Sequence, residues 1–161
     1  MALWRSLLVA AAFTAVGYPA PAQTAAPPGA EVYIIYPRDG QKIGGAFPVR
    51  FGLKGMGVTR AGDTAPNVGH HHLLVDAEGE LSSTDPIPTD RKHLHFGGGQ
   101  TETQLDLPPG RHTLQLVLGD AEHKLFKPAV MSKRVTVTVL DPKAPTEKKK
   151  RKNRRPTAAM R

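Results

Sequence analysis

Cysteine is absent from the 161 residues of this chain. Disulfides therefore cannot support the fold, and thiolate metal sites and thiol redox chemistry are excluded. Methionine is scarce as well, because only Met56 and Met131 lie between residues 31 and 140. This scarcity disfavours a methionine-rich copper(I) carrier. A domain in this chain must rest on its apolar core, and a metal site must use nitrogen and oxygen ligands.

Recognisable catalytic motifs are also missing. Gly97-Gly98-Gly99-Gln100 is not followed by Lys-Ser or Lys-Thr, so it is not a phosphate-binding loop. The chain contains neither H-E-x-x-H nor G-x-S-x-G, and no pair of a nucleophile and a base is evident. We therefore expect a protein that is not an enzyme.

The first 22 residues have the features of a secretory signal peptide. A positively charged start with Arg5 precedes the apolar run Ser6–Val16, which is too short to span a bilayer. Ala20-Pro21-Ala22 then favours cleavage before Gln23, although an uncleaved anchor is the alternative. This pattern predicts a periplasmic or secreted protein whose mature chain begins with a proline-containing linker, residues 23–30.

The net charge of +8 is concentrated in residues 141–161. This segment has nine Lys and Arg against two Asp and Glu, whereas residues 23–140 have twelve of each. The block Lys148–Arg155 predicts a disordered basic tail. Its expected partners are anionic envelope polymers or lipid headgroups, with a solvated tail lacking any partner as the alternative. We expect no specific nucleic-acid partner.

Residues 31–140 show the period-two pattern of β-strands separated by Pro-Gly turns. Phe47, Val49, Phe51 and Leu53 share one strand face, and Val135, Val137 and Val139 share another. We predict a small, all-β, immunoglobulin-like antiparallel sandwich of about seven strands. In that order the strands begin near residues 31, 47, 70, 80, 101, 111 and 133.

The seven histidines all lie within this domain. Residues i and i+2 of a strand share a face, so His70 pairs with His72 and His93 pairs with His95, while His71 faces the other way. Neutral imidazole is the commonest protein ligand of transition metals. These two pairs therefore indicate a site for a divalent metal, copper or zinc by ligand softness.

The assumed strand order decides which histidines meet. His70 and His72 open one strand, His93 and His95 lie in a connection, and His123 lies in a loop at the same end of the sandwich. We therefore predict a metal site at that end, with Asp76, Asp120 and Glu122 as possible oxygen ligands or supporting partners. The alternative is a non-metal ligand-binding or structural envelope module whose histidines hydrogen-bond one another and the loop backbone. The predicted metal ligands are His70, His72, His93, His95 and His123.

His112 is predicted to be structural. It follows Pro108-Pro109-Gly110 at a corner where related sandwiches often carry a tyrosine that bonds back to the backbone. It lies about seven residues, or roughly 23 Å, from the predicted site along its strand. We therefore exclude it from the metal site.

Three segments resemble hallmark segments of a family of bacterial exported proteins, domain of unknown function 4399. They are Gly69–Asp76, His93–Glu102 and Pro109–Asp120; together with Pro128–Ser132 they cover about residues 45–140. The resemblance implies a small secreted or periplasmic domain and implies no activity. The chain differs from similar proteins after His123, where Lys124-Leu125-Phe126-Lys127 lacks a second histidine.

Overall fold

The computed structural model describes residues 23–142, which contain nine β-strands and no α-helix. The predicted signal peptide and residues 143–161 of the predicted tail lie outside the described residues. Within residues 23–142, no helix is long and apolar enough to cross a membrane. The strands are β1 (Glu31–Tyr36), β2 (Gln41–Gly44), β3 (Phe47–Lys54), β4 (Gly57–Val58), β5 (Val68–Val75), β6 (His93–Phe96), β7 (Glu102–Leu105), β8 (Gly110–Gly119) and β9 (Val135–Leu140).

Two sheets form a sandwich. The smaller has the order β1-β3-β7, and the larger has the order β2-β9-β8-β5, with β4 and β6 both pairing with β5. The pairings β2–β9 and β4–β5 are parallel, and the others are antiparallel. The predicted all-β sandwich is therefore confirmed, with a smaller sheet that is antiparallel and a larger sheet that is mixed.

The main core lies between the two sheets. The period-two positions of β8, Leu114, Leu116 and Leu118, are fully buried, and they pack in one cluster with Phe51 of β3 and Leu73 of β5. Alternating apolar side chains place one row of each strand in this core because successive side chains point to opposite faces. The hydrophobic pattern thus determines which face of each strand points inward.

The structure corrects the predicted strand arrangement in three respects. There are nine strands rather than about seven, because β2 and β4 are short additional strands at the margins of the larger sheet. The strand predicted near residue 80 is absent, and residues 76–92 contain no strand at all. His93 and His95, predicted to lie in a connection, belong instead to β6, which pairs with β5.

The segment 76–92 covers the outer face of the larger sheet. Ile87 from this segment packs in a second apolar cluster with Leu74 of β5, Val117 of β8 and Leu125. Pro86 and Pro88 flank Ile87, and proline cannot donate a hydrogen bond to a sheet ladder. The segment is therefore a covering loop rather than a strand, and β5 is buried on both faces.

Residues 23–30, predicted as a linker, contact the fold. The Ala26 N–H donates to the Lys127 carbonyl at 2.9 Å, and the Lys127 N–H donates to the Thr24 carbonyl at 2.9 Å. The Thr24 hydroxyl also reaches the Asp120 carboxylate at 2.7 Å. This N-terminal segment therefore lies against the part of the chain that follows β8.

Candidate metal centre

Strand β5 presents its three consecutive histidines to two different environments. His70 and His72 point to the outer face with Leu74, which belongs to the outer apolar cluster. His71 points inward, where its ring lies 5.2 Å from the ring of Phe51 and its Nδ1–H donates to the Gln100 carbonyl at 3.2 Å. The alternation of side chains along the strand thus separates His71 from its two neighbours.

Pairing between β5 and β6 adds His95 to His70 and His72. His95 lies directly opposite His72 in the antiparallel register, and the two ring centroids are 5.0 Å apart. The His70 and His95 centroids are 5.1 Å apart. One nitrogen of each of the three side chains lies within 4.8 Å of the others.

His123 reaches the same place from the loop after β8. Its ring centroid lies 4.9 Å from that of His70, 4.8 Å from that of His95 and 6.1 Å from that of His72. His70, His72, His95 and His123 therefore form one group, which we call the histidine cluster. It lies on the outer face of the larger sheet, beside the covering loop, rather than among loops alone.

Hydrogen bonds leave much of this cluster unsatisfied. The Nε2 atoms of His70 and His72 lie 3.0 Å apart, close enough for one to donate to the other. Among the described residues, Nδ1 of both side chains and Nε2 of His95 are buried without a hydrogen-bond partner. Since buried polar atoms are nearly always paired, each unpaired nitrogen requires a physical explanation.

Burial keeps His70, His72 and His95 neutral. Removal from water lowers the pKa of His70 to about 4 and that of His72 to about 3, with smaller contributions from the neighbouring histidines. Burial, followed by the effect of His123, also lowers the pKa of His95. These side chains are therefore unprotonated at neutral pH, which is the form that binds metal ions.

Two glycines provide the space that the imidazole rings occupy. A Cβ atom at Gly119, which pairs with His70 across β5 and β8, would lie 2.9 Å from Nε2 of His72. A Cβ atom at Gly97 would lie 2.7 Å from Nε2 of His95. Both positions therefore require glycine for steric reasons, and neither has a positive φ that would by itself favour glycine.

The structure does not bring His93, the fifth predicted ligand, into the cluster. In β6 it lies opposite Leu74 of β5, two residues before His95, which lies opposite His72. Its Nδ1 makes a 2.9 Å contact with Oδ1 of Asp90. Asp90 precedes His93 by only three residues. This short spacing is the sequence signal that His93 has a local partner instead of a metal ion.

The acidic residues predicted as possible ligands have other partners. Asp76 lies at the opposite end of β8 with His112, and Glu122 pairs with Nζ of Lys124 at 2.7 Å. Both oxygens of Asp120 accept hydrogen bonds, from Thr24 and from backbone N–H groups of its own loop. The ligand set that remains is four imidazoles, those of the histidine cluster.

His112 has the environment expected of a structural residue. Its Nδ1–H donates to Oδ2 of Asp76 at 2.7 Å, and its Nε2–H donates to the Pro108 carbonyl at 2.8 Å. Burial lowers the pKa of His112, but these two acceptors outweigh burial and leave the pKa raised. With both ring nitrogens donating, His112 is an imidazolium that ties the start of β8 to the preceding corner.

Comparison with known proteins gives one match. Residues 49–140 match the family DUF4399, whose description is "domain of unknown function". No curated protein and no solved structure matches the chain. The matched region contains β5, β6 and the loop after β8, and therefore all four members of the histidine cluster.

Proposed function

The chain belongs to the DUF4399 family of domains of unknown function, and we propose that it binds one divalent transition metal through the histidine cluster. His70, His72 and His95 form the inner ligand set, and His123 supplies the fourth nitrogen. The proposal is for metal binding, as in a carrier or a buffer, and not for catalysis.

The unpartnered nitrogens of the cluster are the observation that carries this proposal. Leaving a buried polar group without a partner costs about 1–3 kcal/mol. Three such nitrogens belong to the cluster, on His70, His72 and His95. The metal-free cluster is therefore poorly satisfied. An ion bound by one nitrogen of each imidazole compensates for part of this cost, because it gives Nε2 of His95 a partner and replaces the single contact that the Nε2 atoms of His70 and His72 make with each other.

The spacing of the nitrogens suits a shared ion. Zinc-to-nitrogen bonds are about 2.0–2.1 Å, so two ligands of a tetrahedral site lie roughly 3.3 Å apart. The 3.0 Å separation of the His70 and His72 Nε2 atoms is close to this value, and one nitrogen each of His70, His72 and His95 lies within 4.8 Å of the other two. Small rotations of these three rings therefore suffice to bind an ion, without movement of the sheet.

Ligand chemistry limits the choice of ion. Imidazole suits copper(II) and zinc(II), whereas magnesium and calcium prefer carboxylate and carbonyl oxygens. Copper(II) stands above zinc(II) in the general order of affinities, so we expect copper(II) to bind more tightly in a direct comparison.

The burial of the ligands suggests how an ion reaches them. His70 and His72 are fully buried, whereas His95 and His123 are partly exposed. An ion from solvent would first meet His95 and His123 and then the two inner histidines. We also propose that the protein works outside the cytoplasm, on the strength of the signal-peptide pattern in residues 1–22.

A purely structural role for the cluster is the second candidate function. The observation that favours it is the 3.0 Å contact between His70 and His72, which is the spacing of a hydrogen bond. In that role the histidines stabilise the outer face of the sheet without metal. Metal titration separates the two candidates.

The test is a titration of the mature, untagged chain with copper(II) and zinc(II) near pH 7. We expect one ion per chain, and we expect His70→Ala, His72→Ala and His95→Ala each to reduce affinity by more than about 100-fold through the loss of an inner ligand. His93→Ala is the matched control, because it removes a histidine from the same face of β6 outside the cluster. Weak binding in the parent chain, equal to that of the three variants, would leave the structural role as the better account.

A further inference from the structure

The carboxylate of Asp120 organises the loop that carries His123. Asp120 directly follows β8, is only 5% exposed, and its Oδ1 accepts the N–H groups of Glu122 and Lys124, both at 2.9 Å. Its backbone N–H donates to the Lys124 carbonyl at 3.0 Å, and its carbonyl accepts the His123 N–H at 3.0 Å. Residues 120–124 are therefore closed around a single carboxylate.

His123 has a backbone conformation that needs such support. Its φ of +64° lies in the left-handed region, which is unfavourable for a residue with a side chain. Conformations of this kind persist where the surroundings enforce them. The Asp120 loop bonds and a 2.7 Å hydrogen bond from the Ile87 N–H to the His123 carbonyl provide that enforcement. The outcome is an imidazole directed at His70 and His95.

The second oxygen of Asp120 is held by the N-terminal segment. The Thr24 hydroxyl donates to Oδ2 at 2.7 Å, while the Thr24 carbonyl accepts the Lys127 N–H at 2.9 Å. Thr24 thus joins the loop after β8 at two points. Since Asp120 already accepts three hydrogen bonds, its oxygens are committed to the loop and not to an ion.

We infer that Asp120 is a positioning residue for the metal site, which holds His123 in place as the fourth ligand with Thr24 as its own support. This inference rests on the proposed metal binding. It assigns a role to a carboxylate that does not touch the metal, and it explains how a ligand on a loop joins three ligands on strands.

The variants of Asp120 separate its hydrogen bonds from its charge. In Asp120→Asn the amide oxygen can still accept the two loop N–H groups, and the amide NH2 can donate to the Thr24 hydroxyl in place of the hydrogen bond that Oδ2 accepts, so copper(II) should bind within about threefold of the parent chain. Asp120→Ala removes every side-chain acceptor and should weaken binding by about 10- to 100-fold, the usual effect of losing a ligand's supporting partner. Thr24→Val, which keeps the shape of the side chain, should weaken binding by about fivefold, the effect of one hydrogen bond.

A double-mutant cycle tests whether Asp120 acts through His123. Affinities are measured by competition titration of the mature chain, and the copper(II) electron paramagnetic resonance spectrum reports the number of bound nitrogens. His123→Ala and Asp120→Ala should show the same reduced nitrogen coupling, and the double variant should bind no more weakly than His123→Ala alone. Asp76→Ala is the matched control, because that carboxylate also accepts a backbone N–H and a histidine N–H but lies away from the cluster.

The outcomes distinguish this inference from the proposed function. If the parent chain binds no metal, both are overturned. If the parent binds but Asp120→Ala or Thr24→Val binds equally well, or if the two losses in the cycle add, only the positioning role is overturned. If Asp120→Asn is as weak as Asp120→Ala, the negative charge is decisive and the positioning account is wrong. Equal weakening by Asp76→Ala would show a general loss of stability instead.

Discussion

The two ends of β8 lie beside two different kinds of buried histidine. At Gly119 the strand borders the histidine cluster, whose buried rings have unpartnered nitrogens among the described residues. At the other end His112 is equally part of the interior, but both of its nitrogens donate to acceptors within 2.8 Å. Burial alone therefore does not reveal the role of a histidine. The two groups differ in the number of partners that the protein itself supplies, which is two for His112 and at most one each for His70 and His72.

The same comparison explains the opposite protonation of the two groups. Burial without an acceptor disfavours the charged form, whereas a nearby carboxylate and carbonyl favour it. Burial lowers the pKa of His72 to about 3. Burial also acts on His112, but the hydrogen bond to Asp76 leads the contributions that raise its pKa overall. The chain thus contains two buried neutral histidines, His70 and His72, that are in the form that binds metal ions, and a charged histidine, His112, that holds a corner of the fold.

Metal should stabilise the protein strongly, and only through the cluster. An ion at about 1,000 times its dissociation constant adds about 4 kcal/mol to the free energy of unfolding. We expect excess copper(II) or zinc(II) to raise the melting temperature of the parent chain and of His112→Ala by similar amounts. The metal-induced gain should fall to less than half in His72→Ala, because that variant binds the ion more than about 100-fold more weakly. An undiminished gain in His72→Ala would place the ion elsewhere and remove the contrast between the two groups.

Loss of His112 should affect stability without affecting metal binding. His112→Ala leaves the Asp76 carboxylate and the Pro108 carbonyl without their donor, and a hydrogen bond to a charged group contributes about 1.5–3 kcal/mol. We expect a loss of about 2–3 kcal/mol in the free energy of unfolding, measured by urea denaturation of the metal-free chain. Copper(II) affinity should be unchanged, and a tenfold weaker affinity would contradict the separation of the two groups.

A methyl group at Gly119 should disturb the cluster. The added Cβ would lie 2.9 Å from Nε2 of His72 and 3.4 Å from Cδ1 of Ile87, and overpacking of this kind costs about 1–3 kcal/mol. Gly119→Ala should therefore lower both stability and metal affinity. Gly44→Ala is the matched control, since that strand glycine has open space around its Cβ position and no positive φ. Equal behaviour of the two variants would mean that the glycine is not needed for the His72 ring.

The smallest expected effect is a pH dependence of opposite sign for the two groups. The pKa values of His70 and His72 are below the unfolded value of 6.5, so their contribution to stability is complete above that pH and is lost as the pH falls toward 4 and 3. The pKa of His112 is raised above 6.5, so its contribution is complete below pH 6.5 and is lost as the pH rises through its folded value. The stability lost in His112→Ala should therefore be larger at pH 5.5 than at pH 9. A larger loss at pH 9 would show that His112 is neutral in the fold.

Several elements of the site could be predicted from local sequence patterns. The i, i+2 spacing placed His70 and His72 on one face and His71 on the other, because side-chain alternation along a strand is a local property. The corner role of His112 followed from its place after Pro108-Pro109-Gly110 and before the alternating leucines of β8. Both inferences depend on residues close together in the chain.

Other elements depended on pairings between distant residues. A seven-strand order requires a strand near residue 80, but the prolines of the covering loop 76–92 and its packing against Leu74 and Val117 favour a loop. The i, i+2 spacing predicts that His93 and His95 act as one pair, but the register of β6 against β5 places only His95 beside His72. The two histidines are two residues apart in β6, and this spacing decides which of them joins the cluster.

The amino-acid sequence by itself determined the all-β class, the inward faces of the strands and the identity of the histidines available for a site. These properties arise from alternation and turn residues within short stretches of chain, where each choice is made locally. Tertiary structure alone decided that β6 lies beside β5, that Asp120 closes a loop presenting His123, and that Gly97 and Gly119 leave space for imidazole rings. Those features depend on the register and packing of segments that are distant in the chain, because a side chain finds its partners only when the sheets have formed.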